Sequence, residues 1–425
     1  MEGKEVWITG AGLVTPLGAG ADAAWEAIRA GRCGVARHER EDFPCYGRVE
    51  GCEDPGEAPP KLASQKKFLN RGSILGLRAA REAVGAAGLE MEALPPERKS
   101  LYVAAGDFTR VGHLDFFPVM QEAAGPEWKP PDPKALNEAA LHQVNPFFLL
   151  EGLPNNLFSY LSALYEIMGP NGSVSSLSSC GAQALECGDR VLRQGGADAA
   201  LVVGCGSWVD PLILFELAGL GVLSKAAEGA DSFRPFDRRR DGFLAGEGAA
   251  ALLLETAESA AARGARPLGR VLGAGNCQEA GSGGHIPIPE EAAVRACREA
   301  LADAALAPAD LAFVLPHGSG TRKGDRSELR ALRGLLGEAA GAVPLSGLKP
   351  YTGHMGAAGD VGELILGLRA LAEGELPPTP GFERAEREFA GMDIPSAARA
   401  VAGSAFLSLS HSIGGQTSAT VVGAP

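Results

Sequence analysis

The chain has 425 residues, 58 of them glycine, and a formal net charge of −13. A glycine share about twice the usual one, without a Gly-X-Y period, excludes collagen, and 45% hydrophobic against 21% charged residues excludes a disordered chain. The length suits two or three domains, and the acidic balance disfavours a general nucleic-acid binder.

Val6-Trp7-Ile8-Thr9 opens the chain as a strand rather than as an export signal. Gly10-Ala11-Gly12 follows and invites a dinucleotide-binding reading. That reading fails because the third glycine falls at Thr15 and Pro16 interrupts the helix start. The segment Glu39 to Lys61, rich in proline, glycine and charge, reads as a surface loop, as does Gly125 to Pro133. Apolar residues at helical spacing mark a helix over Leu77 to Leu89, ahead of a short strand at Leu101-Tyr102-Val103. Further strands are expected at Ala200 to Val203, Ala250 to Leu254 and Phe313-Val314-Leu315, with a helix over Ala293 to Leu306. Strand–helix alternation over this length predicts an α/β fold with largely buried strands.

Two of these helices resemble each other. Arg81 to Leu89 and Arg298 to Leu306 agree at five of nine positions, and each leads through a Pro-containing connection to a short apolar strand. The repeat predicts two related halves, residues 1–256 and 257–425. The most apolar long stretch, Ala199 to Leu223, is interrupted by Asp210, Pro211 and Glu216, so no membrane span is expected. Eight cysteines without a C-x-x-C pair point to single thiols in a reducing cytoplasm.

Around Gly318 to Gly324 a phosphate-loop spacing fails at Lys323, and neither zinc-hydrolase nor serine-hydrolase motifs occur. Three other segments carry chemistry. Small and β-branched residues from Val174 lead to Cys180, where a helical pattern starts. A cysteine in the first helical turn meets the positive end of the dipole, which is expected to favour thiolate. His317 stands in a glycine-rich loop just past a strand, and Lys349-Pro350-Tyr351-Thr352-Gly353-His354 precedes Gly356-Ala357-Ala358-Gly359. Histidines beyond strand ends, flanked by glycine, leave room for another group to approach.

Together these segments resemble the β-ketoacyl synthases, the condensing enzymes of the thiolase superfamily, over nearly the whole chain. The likeness begins at Ile8 to Gly18 and continues through Gly169-Pro170-Asn171. It takes in Arg234-Pro235-Phe236-Asp237, Asp241-Gly242-Phe243 and Gly246-Glu247-Gly248, and ends at Gly414-Gly415. The order Cys, His, Lys, His, glycine pair carries the specificity. The resemblance implies a thiolase-like fold of two pseudo-related α/β halves in an αβαβα stack.

It also implies a chemistry. Cys180 would take an acyl group from a carrier-protein thioester, with backbone N–H groups of Cys180 and Ile413 as the oxyanion hole. His317 and His354 would bind the thioester oxygen of a malonyl-carrier as CO2 leaves, and Lys349 would position a histidine. Ser319 and Thr321 match positions that contact the pantetheine arm. Lys66, Lys67 and Arg71, expected on the first turns of one helix and on one face, align with the patch that docks the acidic acyl carrier protein. No cofactor or metal is implied. The chain is expected to form a homodimer or a heterodimer with a chain-length partner.

Three departures qualify the likeness. His411 and Ile413 stand where two phenylalanines are usual, one of them gating acyl entry, which puts His411 among the substrate-binding residues. Gly356 follows His354 after one residue rather than two, although Glu363 keeps its distance, and Gly181-Ala182-Gln183 replaces a Ser/Thr-rich continuation. These favour a specialised polyketide or polyene synthase over housekeeping fatty-acid elongation. A non-decarboxylating acyltransferase is the main alternative, and a chain-length partner subunit is disfavoured by Cys180.

Overall fold

A computed structural model describes residues 3–425 apart from 40–41, 106–112, 149, 151–152, 154 and 282–285. Nine strands build the central sheet: β1 (Val6–Thr15), β2 (Lys99–Ala105), β3 (Asn171–Ser175), β4 (Ala199–Ser207), β5 (Glu247–Thr256), β6 (Gly269–Gln278), β7 (Phe313–Leu315), β8 (Ala405–His411) and β9 (Gln416–Gly423). Their order is β7-β8-β9-β6-β1-β5-β4-β2-β3, and a short strand Gly18–Ala19 folds back on β1. Three pairings towards the outer ends are parallel: β2 runs parallel to β3 and β4, and β7 runs parallel to β8. Among the described residues, the two halves of the sheet meet where Val6 to Ile8 of β1 pair with Gly269 to Val271 of β6.

Six helices position the site: α1 (Arg71–Ala87), α2 (Cys180–Arg193), α3 (Glu291–Asp303), α4 (Arg322–Leu336), α5 (Lys349–Thr352) and α6 (Ala357–Glu373). Alternation along the strands assigns them to layers, because successive side chains point to opposite faces. Leu101, Val103, Leu201 and Val203 pack with Leu75, Leu77, Ala79 and Ala83 of α1. Their neighbours Tyr102, Ala104, Ala200 and Val202 face α2 and α6 instead, in a core that also takes in Phe313, Leu315 and Phe406 of the C-terminal half. Val314, Leu407 and Val421 face the third core, with Ala296, Ala300 and Leu301 of α3. The result is the expected αβαβα stack, with α2 and α6 as its middle layer.

The expected helix over Leu77 to Leu89 begins earlier, at Arg71, where the Asn70 side chain accepts from the Ser73 amide at 2.8 Å, and it ends on Gly88 in the left-handed conformation. The opening strand is also longer than four residues, because Gly10-Ala11-Gly12 continues it. A Cβ at Gly12 would strike the Ala79 carbonyl of α1, and one at Gly275 would strike the Ala296 carbonyl of α3. The glycines that mimic a nucleotide-binding loop therefore let a helix lie directly on a strand, and the C-terminal half repeats the device at Gly273-Ala274-Gly275. Gly125 to Pro133 connects two helices, His113–Ala124 and Pro133–Gln143, as expected of a loop. Glu39 to Lys61 is less simple, since its strand Cys45–Gly47 is buried and pairs with Val35–Arg37. Among the described residues no helix is long and apolar enough to cross a membrane.

Candidate active site

β3 ends at Ser175, and after four intervening residues α2 starts at Cys180. Ser179 makes the corner with a φ of 62°, a left-handed conformation that serine adopts only where surrounding contacts hold it. Those contacts come from the far end of the chain. Ser176 Oγ lies 2.9 Å from Ser412 Oγ and donates to Gln416 Oε1 at 3.1 Å, while Ser418 Oγ donates to the Ser179 carbonyl at 3.3 Å. The Cys180 corner is thus tied to the turn that carries Ile413, Gly414 and Gly415.

Cys180 is fully buried, and its Sγ donates to the Ser176 carbonyl at 3.3 Å. Burial pushes its pKa well above the ordinary thiol value, the Asp360 charge adds to that, and amides at the helix start only partly oppose it. This corrects the expectation of a thiolate: at this helix N-terminus desolvation outweighs the dipole in the resting state.

The two histidines arrive from the C-terminal half. The main-chain amides of His317 and Gly318 donate to the buried Glu328 of α4 at 2.5 and 2.9 Å, which fixes the loop after β7. His354 stacks on Trp208 with ring centroids 4.7 Å apart and packs against Phe243 at the same separation. Its Nδ1 accepts from the Gly356 amide at 3.2 Å, so the neutral ring carries its proton on Nε2. That Nε2 is 3.4 Å from Nε2 of His317. Burial first, and the Lys349 charge second, hold both imidazoles well below the ordinary histidine range, so both are neutral at pH 7. Gly356 itself sits at a φ of 57°, and a Cβ there would meet the Trp208 ring at 2.8 Å.

Lys349 opens α5, buried, with Nζ 2.9 and 3.1 Å from the two carboxylate oxygens of Glu363 on α6. Burial raises Glu363 to about 7 even against this partner. His411, the last residue of β8, places its ring 5.5 Å from that of His317, with Nε2 3.6 Å from Glu328 Oε1. Burial and the Lys349 charge lower it to about 3, so it too is neutral.

His317, His354, His411, Ser412, Ile413, Ser319 and Thr321 border one cleft of about 830 Å3. Leu177 and Ser178, separated from Cys180 by Ser179, form the adjoining wall. Ser319 and Thr321 reach the cleft edge with their hydroxyls 2.8 Å apart, and both also serve the start of α4: Ser319 Oγ donates to Asp325 at 3.1 Å and Thr321 Oγ1 accepts from Gly324 N at 3.2 Å.

The three basic residues do not share a helical face. Lys66 and Lys67 end a 3-10 helix (Pro60–Phe68), and Arg71 starts α1 beyond a break. Lys66 pairs with Asp54 at 3.4 Å, and Lys67 lies over the Phe68 and Phe147 rings. Arg71 turns inward, with Nη2 2.7 Å from the buried Glu247 and further bonds to the Val49 and Cys52 carbonyls. Glu247 is buried at the start of β5, and its pairing with Arg71 draws that guanidinium away from the surface.

Two site residues had no place in the motif reading. Glu328 holds the His317 loop, and Asp360 sits beside Cys180, accepting from Gly181 N at 3.1 Å and Ser178 Oγ at 3.3 Å. Asp360 has a signal in sequence, an acid inside the apolar stretch Ala357 to Leu368, where Asp360 and Glu363 are the only charges; Glu328, in the charged helix α4, has none.

A five-layered α/β stack with a cysteine at one central helix and two histidines facing each other defines a thiolase-fold condensing enzyme. The model of the β-ketoacyl synthase N-terminal domain matches residues 3–260 and that of its C-terminal domain residues 268–383, and the chain belongs to the β-ketoacyl synthase family. It is 29% identical to a 3-oxoacyl-(acyl-carrier-protein) synthase 2 of Coxiella burnetii, over 99% of each chain. The corresponding protein of Vibrio cholerae is also 29% identical, over 94% of each. Among solved structures, a β-ketoacyl synthase from Burkholderia phymatum superposes with a TM-score of 0.85 at 26% identity, covering 99% of this chain and 100% of that one. The ishigamide ketosynthase/chain length factor gives 0.82 at 26% identity, with full coverage of both.

Proposed function

We propose that the chain catalyses decarboxylative Claisen condensation of an acyl group held on Cys180 with a malonyl group carried by an acyl carrier protein. The observation that carries this reading is the pair of neutral histidines with facing Nε2 atoms at 3.4 Å, on the cleft that Leu177 and Ser178 share. Cys180 Sγ attacks the acyl thioester, forms a new thioester, and the carrier thiol leaves with the proton. The Cys180 and Ile413 amides serve the oxyanion; the ties from Ser176 and Ser179 to the 412–418 segment keep these two stretches together.

The malonyl thioester oxygen then lies against Nε2 of His317 and His354. When the C–CO2 bond breaks, its electron pair passes into the thioester and the oxygen gains charge, which two neutral donors stabilise without charge of their own to desolvate. The enolate carbon attacks the acyl carbonyl, the Cys180 thiolate leaves, and a β-ketoacyl carrier results. Burial keeps both rings neutral, and Lys349, clamped by Glu363, adds to that effect.

The carrier docks beside Lys66 and Lys67, with its pantetheine arm passing Ser319 and Thr321 and the acyl chain meeting His411. Arg71 supports that surface from below through Glu247. Residues 1–256 supply the nucleophile half and 257–425 the histidine half. A dimer completes the molecule: β3 is an edge strand, and Phe116, Phe117, Trp128 and Phe147 lie exposed on the N-terminal half. Light scattering on the purified chain gives twice the chain mass for a homodimer; a heterodimer with a chain-length partner leaves the isolated chain monomeric.

The test of the activity is intact-mass detection of acyl-Cys180 after incubation with acyl-carriers, followed by product analysis with malonyl-carrier. An adduct with elongation supports condensation. An adduct that never elongates supports acyl transfer to another nucleophile, and no adduct with any carrier overturns the reading.

A further inference from the structure

Asp360 is a buried carboxylate that condensation chemistry leaves without a part. It stands in the first turn of α6, and its two oxygens reach the first turn of the nucleophile helix: Oδ2 takes the Gly181 N–H and Oδ1 the Ser178 hydroxyl. Ser410 supplies a third hydrogen bond from the strand that ends in His411. Two of the sequence departures explain how a carboxylate fits there. A Cβ at Gly181 would strike the Ala357 carbonyl and come within 2.9 Å of Asp360 Cβ, so the missing side chain after Cys180 lets α6 approach α2. The short link from His354 to Gly356 then starts α6 at Ala357, close against that gap.

We propose that Asp360 is a positioning residue for Cys180: its carboxylate holds the first turn of α2 and, by occupying the positive end of that helix, keeps the resting nucleophile as a thiol. A helix N-terminus that faces a carboxylate has less field left for a neighbouring thiolate, and the carboxylate repels that thiolate directly. The inference rests on Cys180 being the nucleophile, but thiol reactivity is read without any condensation step.

The charged groups around Asp360 are few. Lys349 of α5 favours its ionised form, Glu363 one turn further along α6 disfavours it, and Cys180 faces it from α2. Burial raises Asp360 to about 6, the Lys349 charge and the three hydrogen bonds opposing it. Its charge is therefore present at pH 7 and lost in mild acid.

The experiment measures the rate of Cys180 alkylation by iodoacetamide against pH, following the Cys180 peptide by mass spectrometry. The exposed thiols of Cys33 and Cys187 serve as internal controls. In the unaltered protein the logarithm of the rate flattens near pH 6, where Asp360 ionises and the thiol becomes harder to deprotonate, and then rises again. In Asp360→Asn, which keeps shape and removes charge, the flattening disappears and Cys180 reacts about tenfold faster at pH 8, equivalent to a pKa lower by about one unit. Cys33 and Cys187 do not change. A merely structural role moves neither the break nor the midpoint. An uninterrupted rise in the unaltered protein overturns the proposal, and so does an Asp360→Asn profile that coincides with it or runs slower. If Asp360→Asn fails to fold, the break in the unaltered protein decides alone.

Discussion

The two halves of this molecule are built to one plan and end in opposite chemistry. In each, a helix lies on a glycine-bearing strand: α1 on Gly12 of β1 and α3 on Gly275 of β6. Each helix is followed by a strand that runs parallel to its neighbours, β2 in one half and β7 in the other. Next to β2 lies a full strand, β3, which delivers the 14-residue helix α2 with Cys180 at its start. On the side of β7 away from β8 stands the isolated bridge from Val314 to Leu345, which leads to the four-residue α5 and then the His354 turn. The long helix gives Cys180 a rigid, dry seat. The short one ends early enough for His354 to reach the cleft, with Lys349 buried against Glu363. One scaffold thus carries a buried thiol on one side and neutral imidazoles on the other, and the last connection of each half differs.

The comparison breaks most sharply at the nucleophile. Cys180→Ala is expected to lower condensation by about 10^4-fold or more while leaving the melting temperature near its original value, since the lost group is small. Product formation and thermal denaturation check it together. A retained activity would mean the N-terminal half does not hold the nucleophile.

His317→Ala and His354→Ala are expected to lower elongation by about 10^2- to 10^3-fold each, the usual cost of losing one preorganised donor. Acyl-Cys180 should still form at a comparable rate, which intact mass resolves. Loss of acylation in the same proportion would erase the division of labour between the halves.

The shared plan is tested by a matched pair. Gly12→Ala and Gly275→Ala each force a Cβ against a helix carbonyl, and each is expected to destabilise by about 1–3 kcal/mol. Chemical denaturation of the two variants should give similar losses; a large inequality would show that the helix seats are not equivalent.

The smallest effect is expected at the surface. Reversing charge with Lys66→Glu and Lys67→Glu should weaken carrier binding severalfold at low salt, with the difference shrinking as salt is added. Affinity that ignores both the substitutions and the salt would remove these residues from the docking surface.

Much of the plan is legible in the sequence. Strand–helix alternation and the Arg81/Arg298 repeat announce two α/β halves, and the order of Cys180, His317, Lys349 and His354 announces their chemistry. Local patterns carry these because periodicity and loop glycines act over a few residues. What the chain alone leaves open depends on distant groups meeting. The thiolate expected from the position of Cys180 on its helix is reversed by burial and by Asp360, 180 residues away. Arg71 has the sequence of a surface cation, yet Glu247 turns it inward. Gly10-Ala11-Gly12 has the look of a ligand loop until α1 is seen lying on it. Sequence determined which residues could react and in what order they occur. Tertiary structure alone decided their protonation and their neighbours, because desolvation and through-space charge depend on what the fold packs around a group.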